Sequence, residues 1–229
     1  ALGRAPLVER LTEDGGGYGR LRSVIAPYIL RRLKTDWLDL YLLHWPGSHP
    51  IAETMRALKD LAESGRVRYI GVSNFDVPLL ERCESIRHVD SLQPPYSLLR
   101  REVEAETLPW CLRNGTGVVC YSPMQAGLLT GSFDVTRLAE DDWRRRNPLF
   151  QEPALSRHLA LVERLRPIAE RRGQTVGQLA ISWVLAHPAV TSAIVGARRP
   201  AQVEENVQAM GRPLSPSELA EIEAACATG

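Results

Sequence analysis

The sequence feature that most constrains this chain is the run of residues 37–46, in which an apolar stretch ends abruptly in His44, Trp45 and Pro46. Leucines and a tyrosine dominate residues 38–44, which is typical of a buried strand. An ionisable ring at the carboxyl end of such a strand is where an α/β barrel places its chemistry. His44 is therefore the first candidate for a functional side chain.

Three later strand-like runs end in the same way, in turns that contain polar residues or glycine, at residues 71–75, 120–124 and 194–198. Hydrophobic periodicity predicts five strands, at residues 38–44, 67–73, 90–96, 117–121 and 192–195. Helices are predicted at residues 21–33, 51–65, 76–83, 101–113, 155–172, 175–187, 200–211 and from 215 onward. This alternation indicates βαβ units with a parallel sheet, and we expect one α/β domain over residues 1–229.

Capping signals mark several of the predicted helix starts. Asp76 is placed to cap the helix that follows it. Thr175 with Gln178, and Ser215 with Glu218, have the spacing of capping boxes. Residues 132–153 are the one long irregular stretch, and the sequence leaves open whether they form a solvated loop or one that covers a substrate.

Composition excludes several classes of function. A net charge of +1 gives no reason to expect nucleic acid or an anionic membrane surface as partner. No apolar run approaches the roughly 18–20 residues of a membrane span, and no secretory signal is visible. Four scattered cysteines without a CxxC pair favour reduced thiols in a cytoplasmic protein, and five histidines without an HExxH pattern give no support for a metal site.

Five motifs occur in a fixed order: WLDLYLLHWP (37–46), GRVRYIGVSNF (65–75), QPPYS (93–97), YSPMQAGLLTG (121–131) and GARRPAQVEEN (196–206). Together they resemble the fourth to eighth strands of the aldo-keto reductases. The resemblance implies a TIM-type (β/α)8 barrel, of which about five parallel strands are recognisable here and the first ones are missing. It also implies an NADP cofactor and a small carbonyl substrate, an aldehyde or ketone that is reduced by hydride transfer.

The resemblance implies roles for individual residues. His44 would donate a hydrogen bond to the substrate carbonyl and help to stabilise developing oxyanion charge. The residues that would hold the nicotinamide are Ser73, Asn74 and Gln93 at its carboxamide and Tyr121 against its ring. The residues that would fit closely against the pyrophosphate and ribose are Ser122, Pro123, Met124, Gly127 and Leu128. The Met124-Gln125 pair departs from the Leu-Ala that is common in this loop.

The last motif implies a phosphate site, because a helix N-terminus attracts phosphate through its free N–H groups and its dipole. Arg198 adds a guanidinium suited to a 2′-phosphate, with Gln202 one short turn away. The cofactor residues implied on this side are Ile194, Gly196, Ala197, Arg198 and Gln202, with Glu205 and Asn206 at the adenine. The chain has no GxGxxG, so a Rossmann site is not indicated.

Each of these residues also has a plain structural interpretation. His44 is either a site residue or a satisfied core histidine, and Tyr121 is either a stacking surface or a core tyrosine. Asn74 alone would serve equally well to cap a turn. Arg198 and Arg199 could form a solvated pair.

The family's catalytic set also contains an Asp, a Tyr and a Lys, which precede the strand that ends at His44. Neither Tyr18 nor Tyr28 lies in a matching motif, and Lys34 is at the entry of its strand, so only His44 is predicted to be catalytic. The first residue is Ala1, and we expect a processed or truncated product. A longer native protein, a shortened family member, and a site rebuilt from residues 1–20 all remain open.

Two classes of function remain open as well. The first is an NADPH-dependent oxidoreductase, and the second is a catalytically degenerate relative that binds a nucleotide or a protein partner. A barrel lyase or hydrolase is disfavoured, because neither a metal-ligand cluster nor a pair of catalytic carboxylates is visible.

Overall fold

The computed structural model describes residues 26–227. Within this range the strands are β1 (Leu38–Leu43), β2 (Val67–Ser73), β3 (Ser91–Gln93), β4 (Gly117–Tyr121) and β5 (Val190–Ile194). The α-helices are α1 (Ala26–Leu33), α2 (Ile51–Glu63), α3 (Val77–Glu84), α4 (Thr107–Asn114), α5 (Ala154–Arg171), α6 (Val176–Ala186), α7 (Pro200–Val207) and α8 (Pro216–Ala227). Residues 21–25 of the first predicted helix, the segment 1–20 and Tyr18 lie outside the described range.

The strands form a sheet in chain order, β1-β2-β3-β4-β5. Strands β1 to β4 pair in parallel, with Leu42 opposite Gly71, Ser73 opposite Gln93, and Leu92 opposite Val118. A side chain at Gly71 would be crowded there, because an added Cβ would lie 3.1 Å from the carbonyl oxygen of Ser91. The predicted parallel α/β architecture is confirmed over the described residues.

The chain divides into two compact units. The first contains the described residues up to Pro94 together with Ala105–Val118, and the second contains Pro95–Glu104 and the residues from Val119 onward. In the first unit, α2 packs against β2 and α3 with the predicted apolar face, because Ile51, Met55, Leu58 and Leu61 are all buried. Asp76 caps α3 by accepting a hydrogen bond from the Leu79 amide at 3.0 Å, as predicted.

In the second unit, α5 packs on α6 and α8, and α6 also contacts β5 and α7. The Thr175–Gln178 capping box opens α6, and the Ser215–Glu218 box precedes α8. Both boxes are as predicted, because capping depends only on residues three positions apart.

Two helix boundaries differ from the prediction. The helix expected at 101–113 begins at Thr107, because Glu104 is held in a preceding 3-10 turn by hydrogen bonds from Tyr96 and Arg101. The helix expected to reach Gly211 ends at Val207, and Ala209 and Met210 continue in tight turns whose N–H groups bond three residues back.

Residues 132–153 are ordered rather than irregular. Three 3-10 turns begin where Asp134, Asp142 and Asn147 each accept a hydrogen bond from the backbone amide two residues later. Phe150 packs with Leu128 and Leu155 in a buried apolar cluster, to which Leu99, Ala126, Phe133, Val135, Leu149 and Leu159 add partly buried contacts. The loop is therefore packed on its own unit through these apolar residues, while Trp143, Arg145 and Arg146 remain exposed.

Cys83, Cys111 and Cys120 are buried free thiols, and Cys226 is partly buried. Among residues 26–227, no helix has both the length and the apolar character needed to cross a membrane.

Candidate functional site

His44 is the first residue after β1, and its side chain is exposed. Its ring lies 5.9 Å from that of Trp45 at an angle of 51°, so the two rings are tilted rather than stacked. The exposure excludes the alternative that His44 is a buried core histidine. An exposed imidazole at a strand end can donate a hydrogen bond to a ligand oxygen.

The polar residues that end β2 and β3 form a connected group in the same unit as His44. The Ser73 hydroxyl donates to the Gln93 carbonyl oxygen at 2.8 Å. The Asn74 amide nitrogen donates to the Ser73 hydroxyl at 3.0 Å and to the His44 carbonyl oxygen at 3.1 Å. The side chains of Ser73 and Asn74 thus connect the carboxyl ends of β1, β2 and β3, and the sequence predicted both residues for the same site.

Asn74 has a backbone φ of 63°, a left-handed conformation that Asn adopts more readily than most residues. This conformation turns the chain away from β2 toward the Asp76 cap of α3. The Asn74 backbone N–H also reaches the Gln93 carbonyl oxygen at 3.3 Å. The backbone of Asn74 therefore forms the turn that leaves β2, while its side chain connects the ends of β1 and β2.

Ser73 is buried and engaged both as donor and as acceptor, so its part is to hold the group together. Gln93 is half-buried at the carboxyl end of β3. A primary amide there carries one acceptor oxygen and two N–H donors, which complement the carboxamide of a planar ligand.

Tyr121 ends β4 in the second unit and is half-buried, so it is neither a fully buried core residue nor a freely exposed one. Its carbonyl oxygen accepts a hydrogen bond from the Tyr96 amide at 3.2 Å, and Pro95 forms a bridge beside it. The next residue, Ser122, has a φ of 59°, which turns the chain sharply out of the strand.

The turn that follows is conformationally unusual. Gln125, Ala126 and Gly127 have φ values of 45°, 50° and 105°, and the first two are not glycines. Backbone in this region persists only where the surroundings hold it, and it is concentrated at functional sites. The Gln125 amide is buried and accepts a hydrogen bond from the Ser97 hydroxyl at 3.1 Å. This contact gives a physical reason for a Gln at the position where the resembling loops have a different residue.

Not all the residues predicted to line this loop present their side chains to a ligand. Pro123 and Leu128 are buried, and Leu128 belongs to the apolar cluster with Phe150. Met124 packs toward α6, where a Cβ added to Gly177 would lie 3.2 Å from the Met124 sulfur. These three residues can shape the turn and offer backbone groups, while their side chains face the protein.

The segment after β5 is exposed from Gly196 through Pro200. A cleft of about 520 Å³ is lined there by Ala197, Arg198, Arg199, Pro200, Val203 and Glu204. The Gln202 side-chain oxygen accepts hydrogen bonds from the Arg198 and Arg199 amides at 2.7 and 3.2 Å. Gln202 thus occupies the two N–H groups that precede α7. The groups left to attract an anion are the guanidinium groups of Arg198 and Arg199 and the side-chain amide N–H groups of Gln202.

Glu205 and Asn206 lie one turn further along α7. The Glu205 carboxylate accepts a hydrogen bond from the Thr175 hydroxyl at 3.3 Å, and its carbonyl oxygen accepts one from Gln178 at 2.8 Å. Glu205 therefore helps to hold α7 against the start of α6. Asn206 is half-buried and Ile194 is exposed.

Other ionisable groups are less suited to chemistry. Cys120, next to Tyr121, has its pKa raised to about 12 by burial, which keeps the thiol neutral and unreactive. Tyr28 lies on α1, where Arg32 donates to its hydroxyl at 2.9 Å. Within residues 26–227, no three His, Cys, Asp or Glu side chains group in a way that could hold a metal ion.

Sequence patterns missed two residues that support the turn after β4. Arg144 donates to the Ala126 carbonyl oxygen at 3.2 Å, and Arg166 donates to that of Gly131 at 3.1 Å. For Arg144, the one signal that the sequence contained was the mixture of acidic and basic residues within 132–153, which has no fixed spacing to the turn.

Comparison with known proteins gives a match to one family. The model of the aldo/keto reductase family matches residues 25–227. Aldo-keto reductase YhdN of Bacillus subtilis is 37% identical over 196 residues, which are 84% of this chain and 59% of that protein. The NADH-specific methylglyoxal reductase of Escherichia coli is 37% identical over 191 residues, which are 81% of this chain and 58% of that protein.

The fold is also that of solved structures. The glycerol dehydrogenase AKR11B4 from Gluconobacter oxydans superposes with a TM-score of 0.84 at 33% identity. The match covers 88% of this chain and 62% of the dehydrogenase chain. An aldo/keto reductase from Klebsiella pneumoniae in complex with NADP and acetate has a TM-score of 0.66 at 34% identity. That match covers 87% of this chain and 62% of the Klebsiella chain. The chain spans about three fifths of the length of these relatives, so the barrel it represents is partial.

Proposed function

Since this chain belongs to the aldo/keto reductase family, we propose that it carries the cofactor-binding residues and the catalytic histidine of an NADPH-dependent oxidoreductase that reduces an aldehyde or ketone to an alcohol. The observation that carries the proposal is the group of hydrogen bonds by which Asn74 joins Ser73 to the backbone of His44. This group connects the backbone that carries the His44 ring to amides that could hold a nicotinamide.

The chemistry of the donor set fits a pyridine dinucleotide. Gln93 and Asn74 are primary amides that complement the carboxamide of the nicotinamide, and Tyr121 offers a half-buried aromatic ring. Arg198 and the amide N–H groups of Gln202 offer donors for phosphate oxygens beside an open cleft. When bound, NADPH supplies the hydride, while the protein supplies orientation and electrostatic stabilisation.

His44 would donate a hydrogen bond to the carbonyl oxygen of the substrate. That oxygen gains negative charge as the carbonyl is reduced, so a donor already in place stabilises the transition state more than the ground state. Asn74 restrains the backbone of His44, which limits the positions that the ring can sample. The group that protonates the product is not assigned among the described residues.

The choice of NADPH over NADH rests on Arg198. A guanidinium forms paired, charge-assisted hydrogen bonds with a phosphate, and only NADPH carries a 2′-phosphate. The relatives differ in this respect, because one is named as NADH-specific and another was solved with NADP. Glu204 lines the same cleft as Arg198 and would repel a phosphate that came too close to it.

The test measures cofactor binding and turnover on the same protein. NADPH is titrated against tryptophan fluorescence, and its oxidation is followed with an activated aromatic aldehyde. We expect His44→Ala to lower the turnover about 10²–10³-fold, as the loss of one oxyanion donor does, with little change in NADPH affinity. His88→Ala, which alters a histidine paired with Glu84 at the end of α3, is the matched control and should keep the activity. Turnover that survives His44→Ala would contradict the assignment.

A second candidate is a relative that binds the nucleotide without reducing carbonyls. It requires only the cofactor residues of the proposal and no group that acts on a carbonyl. The same experiment separates the two, because this candidate predicts saturable NADPH binding together with no aldehyde-dependent oxidation.

A further inference from the structure

Asp142 and Arg144 form an ion pair that fixes the middle of the loop 132–153. The Arg144 guanidinium donates to both carboxylate oxygens of Asp142, at 2.7 and 3.0 Å. Only 21% of the Arg144 side chain and 17% of the Asp142 side chain are exposed. The Asp142 carboxylate also accepts the Arg144 backbone amide at 2.9 Å. Asp142 therefore holds both the backbone amide and the guanidinium of Arg144.

The remaining terminal nitrogen of Arg144 points at the unusual turn after β4. It donates to the Ala126 carbonyl oxygen at 3.2 Å, and the same nitrogen would lie 3.7 Å from a Cβ added to Gly127. This contact joins residues 18 positions apart in the chain. It meets the turn where Gln125, Ala126 and Gly127 all have positive φ values.

Positive φ is unfavourable for Gln and Ala, so this turn needs support from outside its own residues. Its internal support includes bonds from the Gly127 and Leu129 amides to the Met124 carbonyl oxygen, at 3.1 and 3.2 Å, and one from the Gln125 amide to the Ser122 carbonyl oxygen at 2.9 Å. The apolar cluster around Phe150 attaches the far end of the loop beside it. Arg144 supplies a polar contact to the backbone of the turn, in addition to the hydrogen bond that Ser97 donates to the Gln125 side chain.

We propose that the Asp142–Arg144 pair is a positioning device for the cofactor, which keeps the backbone of residues 125–127 in the conformation that receives the pyrophosphate. The inference rests on the proposed function, in which this turn contacts the cofactor. Arg144 acts through the Ala126 carbonyl and is a positioning residue, not a ligand of the phosphates. Its charge is already matched by Asp142, so it adds little net attraction for an anion.

Three variants test this role. We expect Arg144→Ala and Asp142→Asn each to weaken NADPH binding about tenfold, the cost of losing a charge-assisted contact, with kcat at saturating NADPH changed less than about twofold. Arg144→Lys should not restore the affinity, because an ammonium cannot bond both carboxylate oxygens and the Ala126 carbonyl in the same geometry. The control is Arg137→Ala, which breaks the exposed ion pair with Asp134 in the same loop and should leave the affinity unchanged.

The Asp142→Asn variant separates positioning from direct binding. If Arg144 bound the phosphates itself, removing the opposing charge would leave it more attractive to an anion, and NADPH would bind more tightly. Tighter binding by Asp142→Asn would therefore overturn the proposal. Full affinity of Arg144→Lys would overturn it too, because positive charge alone would then be sufficient.

Amide hydrogen exchange distinguishes a failure of this inference from a failure of the proposed function. In Arg144→Ala, exchange at Gly127 and Leu129 should accelerate, because their bonds to Met124 depend on the turn. Faster exchange with unchanged NADPH affinity would overturn the positioning role and leave the proposed function intact. An unaltered protein that binds neither NADPH nor NADH would refute the proposed function, and with it the role given to the pair, whatever the exchange rates are.

Discussion

The side chain of Asn74 is bonded to the backbone of His44, with its amide nitrogen 3.1 Å from the His44 carbonyl oxygen, although 30 residues separate the two in the chain. The bond runs between the ends of two neighbouring parallel strands, where the backbone has left the sheet ladder. It makes the position of the candidate catalytic residue depend on a residue that we assign to the cofactor. Cofactor binding and catalysis should therefore respond together to changes at Asn74.

Replacing Asn74 should lower the efficiency of carbonyl reduction. Asn74→Gly removes the amide but allows the φ of 63°, and loss of a hydrogen bond of ordinary strength should reduce kcat/KM about tenfold. Asn74→Ala loses the same bond and also strains the backbone, so it should be lower still. Steady-state kinetics and urea unfolding of both variants would separate the two effects. An Asn74→Gly variant with unaltered kcat/KM would show that the His44 tether is dispensable.

The cofactor preference should depend on Arg198 and not on its neighbour. Arg198→Ala should reduce the ratio of NADPH to NADH affinity about 10–100-fold, the value of one charge-assisted contact. Arg199→Ala is the matched control, since it removes an equal charge from the next position and should leave the ratio nearly unchanged. Fluorescence titration with both cofactors provides the measurement. If Arg199→Ala lowered the ratio and Arg198→Ala did not, the 2′-phosphate would be bound by Arg199 instead.

The thiols should react slowly in the native protein. Burial raises the pKa of Cys83 to about 11 and those of Cys111 and Cys120 to about 12, so almost no thiolate is present at pH 8. Cys226 is partly buried, and its pKa is also raised by burial. Timed alkylation with mass spectrometry should label Cys226 first and the other three only after unfolding in urea. Early labelling of Cys120 would contradict the packing around β4.

The contribution of the Asp142–Arg144 pair to stability should persist in moderately acid solution. Hydrogen bonds from Arg144 lower the pKa of Asp142 from 3.8 to about 2. Because the folded protein favours the ionised carboxylate, its stabilising effect is complete above pH 3.8 and is lost as the pH falls through about 2. The difference in urea midpoint between the unaltered protein and Asp142→Asn should therefore be constant from pH 7 to about pH 5. A difference that disappeared by pH 5 would contradict this assignment of the pKa.

Much of the fold could be predicted because its signals are local. The strand β2 has the predicted bounds, and the capping residues Asp76, Thr175 and Ser215 act as their spacing indicated. Capping and hydrophobic periodicity depend on residues within one or two turns of each other, and these are adjacent in the sequence. The later start of α4 depends on a longer contact, because Glu104 accepts a hydrogen bond from Tyr96, which lies ahead of the predicted helix. The strand predicted at residues 90–96 is also shorter, at Ser91–Gln93.

The sequence by itself determined which residues lie at the carboxyl ends of the strands, and so which residues became candidates: His44, Ser73, Gln93 and Tyr121. Only the tertiary structure decided what surrounds them. It selected Asn74 as the partner of His44, Ser97 as the partner of Gln125, and Arg144 as the support of Ala126, across 30, 28 and 18 residues. The physical reason is that a hydrogen bond requires atoms within about 3 Å, and separated segments approach so closely only after the strands have paired and the loops have packed.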